Sequence, residues 1–252
     1  MHAAGEALLS IAQTTGSMGL VAGRLLSRLV RLRIDRDELF RSLYRMGVKS
    51  MPIVVVTALF TGAIVVIQAA PLVQRLQAHA LVGWAAGFST FREIAPLLTA
   101  LMINGRVGAN NTAELGTMVV TEQIDAMRVL AIDPISFLVA PRFLAIVCTL
   151  FLATVLADAL AILGACGAGM VLIGVSPATF YNSLTGGLIG VGDIMSGLVK
   201  SALFGVVIGL SSCHFGLAVT GGAPGVGRAV NATVVASAAG IFVLDYFVSF
   251  TL

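Results

Sequence analysis

The chain has 252 residues, of which 58% are hydrophobic and only 11% are charged. This composition excludes an ordinary soluble domain and is typical of a protein embedded in a lipid bilayer. The net charge of +3 does not indicate a nucleic-acid partner, because the basic residues cluster beside an apolar run. The three cysteines lie far apart within apolar segments, so they predict neither a disulfide framework nor a zinc site.

A basic segment, residues 1–49, precedes the first long apolar run. Within it, residues 20–33 (LVAGRLLSRLVRLR) place Arg24, Arg28 and Arg31 at helical spacing beside an apolar face. This pattern predicts an amphipathic helix at the level of the lipid headgroups. The alternative is an ordinary cytoplasmic helix that packs against the rest of the protein.

Five apolar stretches are long enough to cross a membrane, since roughly 20 apolar residues span the hydrocarbon. The predicted spans are Met51–Val73, Leu81–Val107, Phe143–Ile173, Leu198–Val219 and Ala229–Phe250. Basic residues before the first span predict a cytoplasmic N-terminus, and an odd number of crossings places the C-terminus on the opposite side. The predicted fold is therefore an all-α integral membrane protein with an N-terminal interfacial amphipathic helix and five transmembrane helices. We interpret it as a single domain over residues 1–252, with the bundle in residues 50–252.

Glycine pairs four residues apart allow helices to approach closely in lipid. Such pairs occur at Gly83 and Gly87, at Gly186 and Gly190, and at Gly205 and Gly209. We interpret them as signs of a tightly packed bundle. The chain shows no convincing internal repeat, which argues against a secondary transporter built from inverted repeats.

Arg92 and Glu93 interrupt the second predicted span, where each charge costs about 2.5–3.5 kcal/mol near the helix centre. Adjacent helical residues point about 100° apart, so the two charges do not neutralise each other along one face. Each needs a partner from a neighbouring helix, a second subunit, a water-filled cavity or a charged ligand. We interpret the pair as a polar site in a substrate cavity. The alternative is that both lie near the outer interface and extend to water.

Residues 111–134 form the only sizeable polar segment between the second and third spans. The residues spaced as one apolar helical face are Leu115, Met118, Val119, Met127 and Leu130. Asp133-Pro134 ends this predicted helix, because the residue before a proline avoids the helical region. Such a helix between two spans suits docking into a groove on a soluble partner. The alternative is a loop helix that lies on the membrane surface.

Residues 222–229 (GAPGVGRA) approach the phosphate-binding pattern GxxxxGK[ST], but the lysine and the hydroxyl residue are missing. We interpret them as a turn between the fourth and fifth spans, so ATP hydrolysis must come from another chain.

Asp158 and Asp245 lie within the third and fifth spans, where we expect packing or hydrogen-bonding roles. The alternative for these two carboxylates is a proton path. The histidines have no metal-ligand spacing, and no nucleophile–base pattern predicts a catalytic site.

Residues 91–143 carry FREIAPLLTALMINGRVGANNTAELGTMVVTEQIDAMRVLAIDP followed by LVAPRF. This region resembles the signature of MlaE/YrbE-type permeases, the membrane subunits of Mla and Mce lipid ABC transporters. The most specific blocks of the resemblance are Arg92-Glu93, Gly105–Gly108, Ala113–Gly116, Thr121–Gln123 and Asp133-Pro134. The similarity extends over most of the chain.

The resemblance implies a homodimer in the bacterial inner membrane, with each N-terminus cytoplasmic and each C-terminus periplasmic. Two cytoplasmic ABC ATPase subunits and a periplasmic ring of MCE-domain proteins would complete the complex. The cargo would be phospholipid or a related lipid, moved between the inner membrane and the periplasm or outer envelope. ATP and magnesium would bind to the ATPase, and this chain would hold no cofactor or metal.

The resemblance also places Arg92 and Glu93 at a central lipid cavity, where two copies of the second span would bring their charges together. Leu72, Val73 and Leu76, at the outer end of the first span, would line the pocket that holds acyl chains. The residues of the segment that would couple to the ATPase are Glu114, Glu122, Gln123, Asp125 and Arg128. Two alternatives remain: a proton-coupled secondary transporter with Glu93, Asp158 and Asp245 as a relay, and a non-transporting membrane scaffold.

Overall fold

The computed structural model describes residues 16, 18, 19, 23, 25, 27, 35–77, 81–187 and 189–251. The arginines of the predicted interfacial helix over residues 20–33 lie outside the described residues. Every regular element of the described ranges is a helix or a helical turn, which confirms the all-α class.

Ten α-helices are numbered here in chain order over the described residues. They are α1 (Arg36–Met46), α2 (Met51–Leu76), α3 (Val82–Ser89), α4 (Ala95–Ile103), α5 (Ala109–Val120), α6 (Gln123–Val129), α7 (Ala140–Ile173), α8 (Pro177–Thr185), α9 (Val191–Leu217) and α10 (Gly222–Thr251). A short 3-10 turn, Val48–Ser50, precedes α2. Wider π-helical turns are found at Thr90–Ile94, Asn104–Gly108 and Ile135–Val139.

Four helical stretches of the described chain are long and apolar enough to cross a membrane. They are Arg36–Leu76, Ile135–Ile173, Val191–Leu217 and Gly222–Thr251, and they overlap the first, third, fourth and fifth predicted spans. Residues 82–120 are also helical throughout, through two π-helical turns. That stretch carries the charges of Arg92, Glu93 and Arg106, and it is not among the four stretches of membrane-spanning length.

Local sequence explains where several helices begin. A proline occupies the first turn of α2 and of α8, where its missing N–H group has no helical partner to lose. The Ser176 side chain accepts a hydrogen bond from the Thr179 backbone N–H and so caps α8. The Asp133 carboxylate accepts bonds from the Ile135 N–H and the Ser136 hydroxyl, at 3.2 and 2.8 Å, and starts the helical turn before α7.

The described residues cluster into two compact units. The first unit contains the described residues up to Met46, Asn104–Val147 and Val206–Gly240, and the second contains Gly47–Ile103, Cys148–Gly205 and Ile241–Leu252. The buried core of the first unit includes Leu115, Val139, Phe143 and Cys213. The buried core of the second unit includes Val66, Val82, Ala165 and Phe180. The prediction of a single domain stays a prediction.

Glycines allow α2 and α7 to approach within backbone contact in the second unit. A Cβ atom on Gly62 would overlap the Ala161 carbonyl, and a Cβ atom on Gly164 would overlap the Leu59 carbonyl. The predicted close approach at Gly83 and Gly87 is confirmed.

A Cβ atom on Gly83 would overlap the Phe180 carbonyl, and a Cβ atom on Gly87 would overlap the Leu184 and Ile189 side chains. The interpretation of Gly186 and Gly190 as a helix contact is wrong, because both lie in the connection between α8 and α9.

The single helix predicted within residues 111–134 is divided in the structure. Glu122 adopts a left-handed conformation, with φ at 59°, and separates α5 from α6. The break changes the helical phase, so Ile124 is buried while Leu130 is 70% exposed. The prediction of one continuous apolar face from Leu115 to Leu130 is therefore wrong.

The interpretation of residues 222–229 as a turn is also wrong. The turn lies just before Gly222, where Gly221 and Gly222 have φ values of 84° and 69° that favour glycine. From Gly222 onward the segment forms the first turns of α10.

We expect Gly164→Ala to lower the free energy of unfolding by about 1–3 kcal/mol, because the added methyl group must displace the α2 backbone. Gly167→Ala is the matched control, since a Cβ atom there on the same helix has no neighbour within 4 Å. Thermal unfolding in detergent, followed by circular dichroism, measures both. Equal destabilisation by the two substitutions would contradict the close α2–α7 contact.

Candidate functional site

A fully buried lysine organises the charged residues of the second unit. Lys200, on α9, has an exposed fraction of 0%. Its Nζ atom lies 2.6 Å from Glu93 Oε1, 2.7 Å from Ser249 Oγ and 3.1 Å from the Arg92 carbonyl oxygen. These three acceptors match the three hydrogens of an ammonium group. Asp245 Oδ1, on α10, lies 3.3 Å from Nζ and adds a second negative charge.

Proline chemistry explains why the Arg92 carbonyl is free to accept this bond. In an α-helix the N–H of residue 96 would bond to the carbonyl of residue 92, but Pro96 has no N–H. The chain takes a π-helical turn at Thr90–Ile94, which ends two residues before this proline. Lys200 therefore satisfies a buried carbonyl that the helix leaves without its usual partner.

Arg92 has its own acidic partner on the same helix as Lys200. Its Nη1 atom lies 3.3 Å from Asp193 Oδ1, and its guanidinium carbon lies 5.6 Å from the centre of the Phe88 ring. The other Asp193 oxygen accepts the Gly190 N–H at 2.9 Å, at the start of α9. Asp193 is thus held from two sides.

The adjacent charges Arg92 and Glu93 meet opposite charges at Asp193 and Lys200. These two residues are seven positions apart on α9, so they lie on one face of the helix. Gly197, between them, allows the approach, since a Cβ atom there would overlap the Phe91 carbonyl. The expectation that each intramembrane charge needs a partner is met by a neighbouring helix of the same chain, and pairing by a second copy is not required.

Sequence reasoning gave no site role to Lys200, Asp193 or Ser249. The available signal was a lone lysine in the fourth predicted span, with an aspartate two helical turns before it. An intramembrane lysine needs an acidic partner, and the carboxylates in the other predicted spans are Glu93, Asp158 and Asp245.

A groove of about 430 Å³ opens beside Arg92 in the second unit. Its lining residues are Arg92, Gly192, Asp193, Met195, Ser196 and Val199. The Ser196 hydroxyl is buried and has no hydrogen-bond partner among the described residues. The groove therefore presents one guanidinium and one carboxylate, and the Ser196 hydroxyl is buried in its wall.

Leu72, Val73 and Leu76 do not line this groove. Leu72 and Leu76 are 61% and 67% exposed on the last turns of α2. Val73 is buried in the core of the second unit. Their assignment to a pocket for acyl chains stays a prediction.

Glu114 is bound within the first unit. Its Oε2 atom lies 2.9 Å from Arg142 Nη1 and 2.9 Å from Arg45 Nη1. Asn110 donates a hydrogen bond of 2.8 Å to the other carboxylate oxygen. Glu38 lies 3.8 Å from both arginines. Glu114 therefore joins α1, α5 and α7 through ion pairs, a role that sequence reasoning missed.

The other predicted coupling residues are exposed on or beside α6. Glu122 and Gln123 are exposed, and Asp125 and Arg128 form an exposed ion pair of 2.8 Å. Two apolar side chains at the end of α6, Val129 and Leu130, are 87% and 70% exposed. We call Gln123, Asp125, Arg128, Val129 and Leu130 the α6 surface.

Asp158 stands apart from the other carboxylates. It is 6% exposed, and its Oδ1 atom has no hydrogen-bond partner in the described part of the chain. No hydrogen bond between described residues links Asp158 to Glu93 or Asp245, whereas Lys200 contacts both of the latter. The three carboxylates therefore do not form one hydrogen-bonded relay within the described residues.

We expect Lys200→Met to destabilise the fold by about 3 kcal/mol, because it leaves Glu93 and Asp245 without their shared cation. Adding Glu93→Gln and Asp245→Asn in the same chain should recover part of that loss, since the uncompensated charges are then removed. Chemical unfolding in detergent measures the series. Arg75→Met, at an exposed position on α2, is the control and should leave stability unchanged; an equal effect would contradict the role of Lys200.

Known proteins similar to this chain include proteins named as permeases or probable permeases. A probable ABC transporter permease protein of Rickettsia felis is 34% identical over 206 residues, which cover 82% of this chain and 79% of that protein. A probable ABC transporter permease protein of Synechocystis is 36% identical over 229 residues, covering 91% and 87%. The intermembrane phospholipid transport system permease protein MlaE of Haemophilus influenzae is 28% identical over 206 residues, covering 82% and 79%.

A family model also matches most of the chain. The model is described as permease MlaE, and its match extends over residues 39–251. Together with the four helices of membrane-spanning length, this match identifies a multi-pass membrane protein that acts as a permease subunit. The chain belongs to the MlaE permease family.

Proposed function

We propose that this chain is the membrane-spanning permease subunit of an ABC transporter that moves phospholipid or a related lipid. Transport would run between the bacterial inner membrane and the periplasm or outer envelope, driven by a separate ATPase subunit that binds ATP and magnesium. The observation that carries this proposal is the cluster of Arg92, Glu93 and Lys200, in which Arg92 also lines a groove. The Haemophilus relative, which is named as a phospholipid transport permease, supports the lipid substrate.

The chemistry of the groove suits a lipid headgroup. A guanidinium binds phosphate oxygens through paired hydrogen bonds, and Arg92 uses only part of its donor capacity on Asp193. The exposed apolar side chains of α2, including Leu72 and Leu76, offer contact to acyl chains near the membrane. Glu93 and Lys200 would hold the π-helical turn that presents Arg92.

The proposed topology has five crossings, with residues 82–107 as the additional one. Pairing of Arg92 and Glu93 with residues of α9 lowers the cost of placing them in the bilayer. Five crossings put the two termini on opposite sides of the membrane. The basic segment before α2 would place the N-terminus in the cytoplasm, and the C-terminus would then be periplasmic.

The α6 surface is the proposed contact with the ATPase. An exposed short helix with apolar side chains at its end suits a groove on a soluble partner. Glu122, Gln123, Asp125 and Arg128 would provide the polar rim of this contact. Glu114 would act as a positioning residue, because its ion pairs with Arg45 and Arg142 fix α5.

The complete transporter would contain two copies of this chain, two ATPase subunits and a periplasmic MCE-domain protein. No role for nucleic acid follows from the charges, because the basic residues cluster beside an apolar run.

We expect Arg92→Gln to reduce ATP-driven lipid transfer about tenfold, since a charge-assisted hydrogen bond contributes roughly 1.5–3 kcal/mol. The measurement is transfer of labelled phospholipid by the complete complex between vesicles. Arg75→Gln is the matched control and should retain full transfer. Full transfer by Arg92→Gln in an intact complex would remove Arg92 from the lipid path.

We expect Val129→Asp together with Leu130→Asp to abolish co-purification of the ATPase, because both side chains would meet an apolar groove. The thermal stability of the isolated chain should not change, since neither side chain is buried. Tyr181→Asp, at another exposed position, 63% accessible on α8, is the control and should keep the ATPase bound. Retention of the ATPase by the double variant would exclude the α6 surface as the contact.

The two alternative functions make different predictions. A proton-coupled secondary transporter would work alone in liposomes under a pH gradient, whereas the proposed permease requires its ATPase. A non-transporting scaffold would leave ATP hydrolysis by its partners unaffected by lipid. The lack of a hydrogen bond from Asp158 to Glu93 or Asp245 among the described residues weighs against the proton relay.

A further inference from the structure

The groove beside Arg92 contains one positive and one negative side chain. Among its lining residues, Arg92 supplies the guanidinium and Asp193 supplies the carboxylate, while the remaining residues are uncharged. The Lys200 ammonium does not line the groove and is fully buried against Glu93, Ser249 and the Arg92 carbonyl. The formal charge of the lining is therefore zero.

We propose that Asp193 makes this groove selective for zwitterionic phospholipid headgroups, which carry a phosphate and an ammonium group, over headgroups with a single negative charge. The inference rests on the proposed lipid-transport function and names the substrate class of the same site. Asp193 is thus a specificity-determining residue.

The phosphate position follows from the free donors of Arg92. A guanidinium has five N–H donors, and the structure directs Nη1 to Asp193. The Phe88 ring contacts the guanidinium without using its in-plane donors.

The ammonium position follows from the placement of Asp193. Its carboxylate lies 3.3 Å from Arg92, so a phosphate on the guanidinium comes close to it. For a headgroup with only a phosphate charge, this proximity is repulsive. In an ethanolamine headgroup a short ethylene linker carries the ammonium group from the phosphate to the carboxylate, and the second contact becomes attractive.

The carboxylate cannot easily turn away from this approach. Its second oxygen accepts the Gly190 N–H at 2.9 Å, and the Asp193 backbone N–H in turn donates to the Gly190 carbonyl at 3.1 Å. These paired bonds fix Asp193 at the beginning of α9, where a negative charge is also favoured by the helix dipole. The carboxylate therefore occupies a fixed position in the groove.

The test uses the complete transporter in donor vesicles that contain equal amounts of phosphatidylethanolamine and phosphatidylglycerol. Lipids delivered to acceptor vesicles after ATP addition are identified by mass spectrometry. The unmodified complex should deliver mainly phosphatidylethanolamine. Asp193→Asn keeps the size of the side chain and its bond to Gly190, and it should raise the delivered ratio of phosphatidylglycerol to phosphatidylethanolamine about fivefold.

Two further variants serve as controls. Asp193→Glu retains the charge and should keep the preference for phosphatidylethanolamine. Asp37→Asn removes an exposed carboxylate in the first turn of α1 and should leave the ratio unchanged. Continued transfer with the same lipid ratio in Asp193→Asn would overturn the specificity inference and leave the transport function intact. Absence of any ATP-driven lipid transfer by the unmodified complex would overturn both.

A second measurement does not depend on the folding of a variant. The unmodified chain is placed in nanodiscs that contain the two lipids in equal amounts, and the lipids that remain bound after mild delipidation are counted. Enrichment of phosphatidylethanolamine supports the inference. Equal retention, or enrichment of phosphatidylglycerol, would overturn it.

Discussion

The contact between Lys200 and Glu93 is the interaction on which the second unit depends. It places a buried ammonium 2.6 Å from a carboxylate that interrupts an apolar helical stretch. The same ammonium binds the Arg92 carbonyl and lies beside Asp245. One side chain of α9 thereby connects the π-helical turn before α4 with the end of α10. Removing it would leave two carboxylates without their shared cation and the Arg92 carbonyl without this hydrogen bond.

These ion pairs set the register of α9 against residues 90–94, which apolar contacts alone would specify poorly. Apolar side chains pack with almost any apolar neighbour, and in lipid no hydrophobic drive favours one helix pair over another. The pairing of Arg92 with Asp193 and of Glu93 with Lys200 allows only one alignment of α9 against residues 90–94. Gly197 makes that alignment possible by bringing the two backbones close.

The helices and the importance of Arg92 and Glu93 follow from the sequence, because apolar length and isolated charges are local signals. The identity of their partners does not, since Lys200 lies 107 residues after Glu93 along the chain. No local sequence signal predicts the break between α5 and α6, because no glycine or proline accompanies the left-handed Glu122. The burial of Val73 beside the exposed Leu72 depends on how α2 is rotated against its neighbours, which the sequence of α2 alone does not specify.

The two units use buried cations in related but distinct ways. In the first unit, Arg142 on α7 is 1% exposed and meets Glu114, Glu38 and the Asn111 side chain. A guanidinium has donors in a fixed plane, so it suits the joining of partners that come from different directions, such as α1 and α5. An ammonium is a compact charge, and Lys200 suits a tight position where two carboxylates and a carbonyl converge. In each unit one buried cation joins several helices, and the choice of Arg or Lys follows from how its partners are distributed.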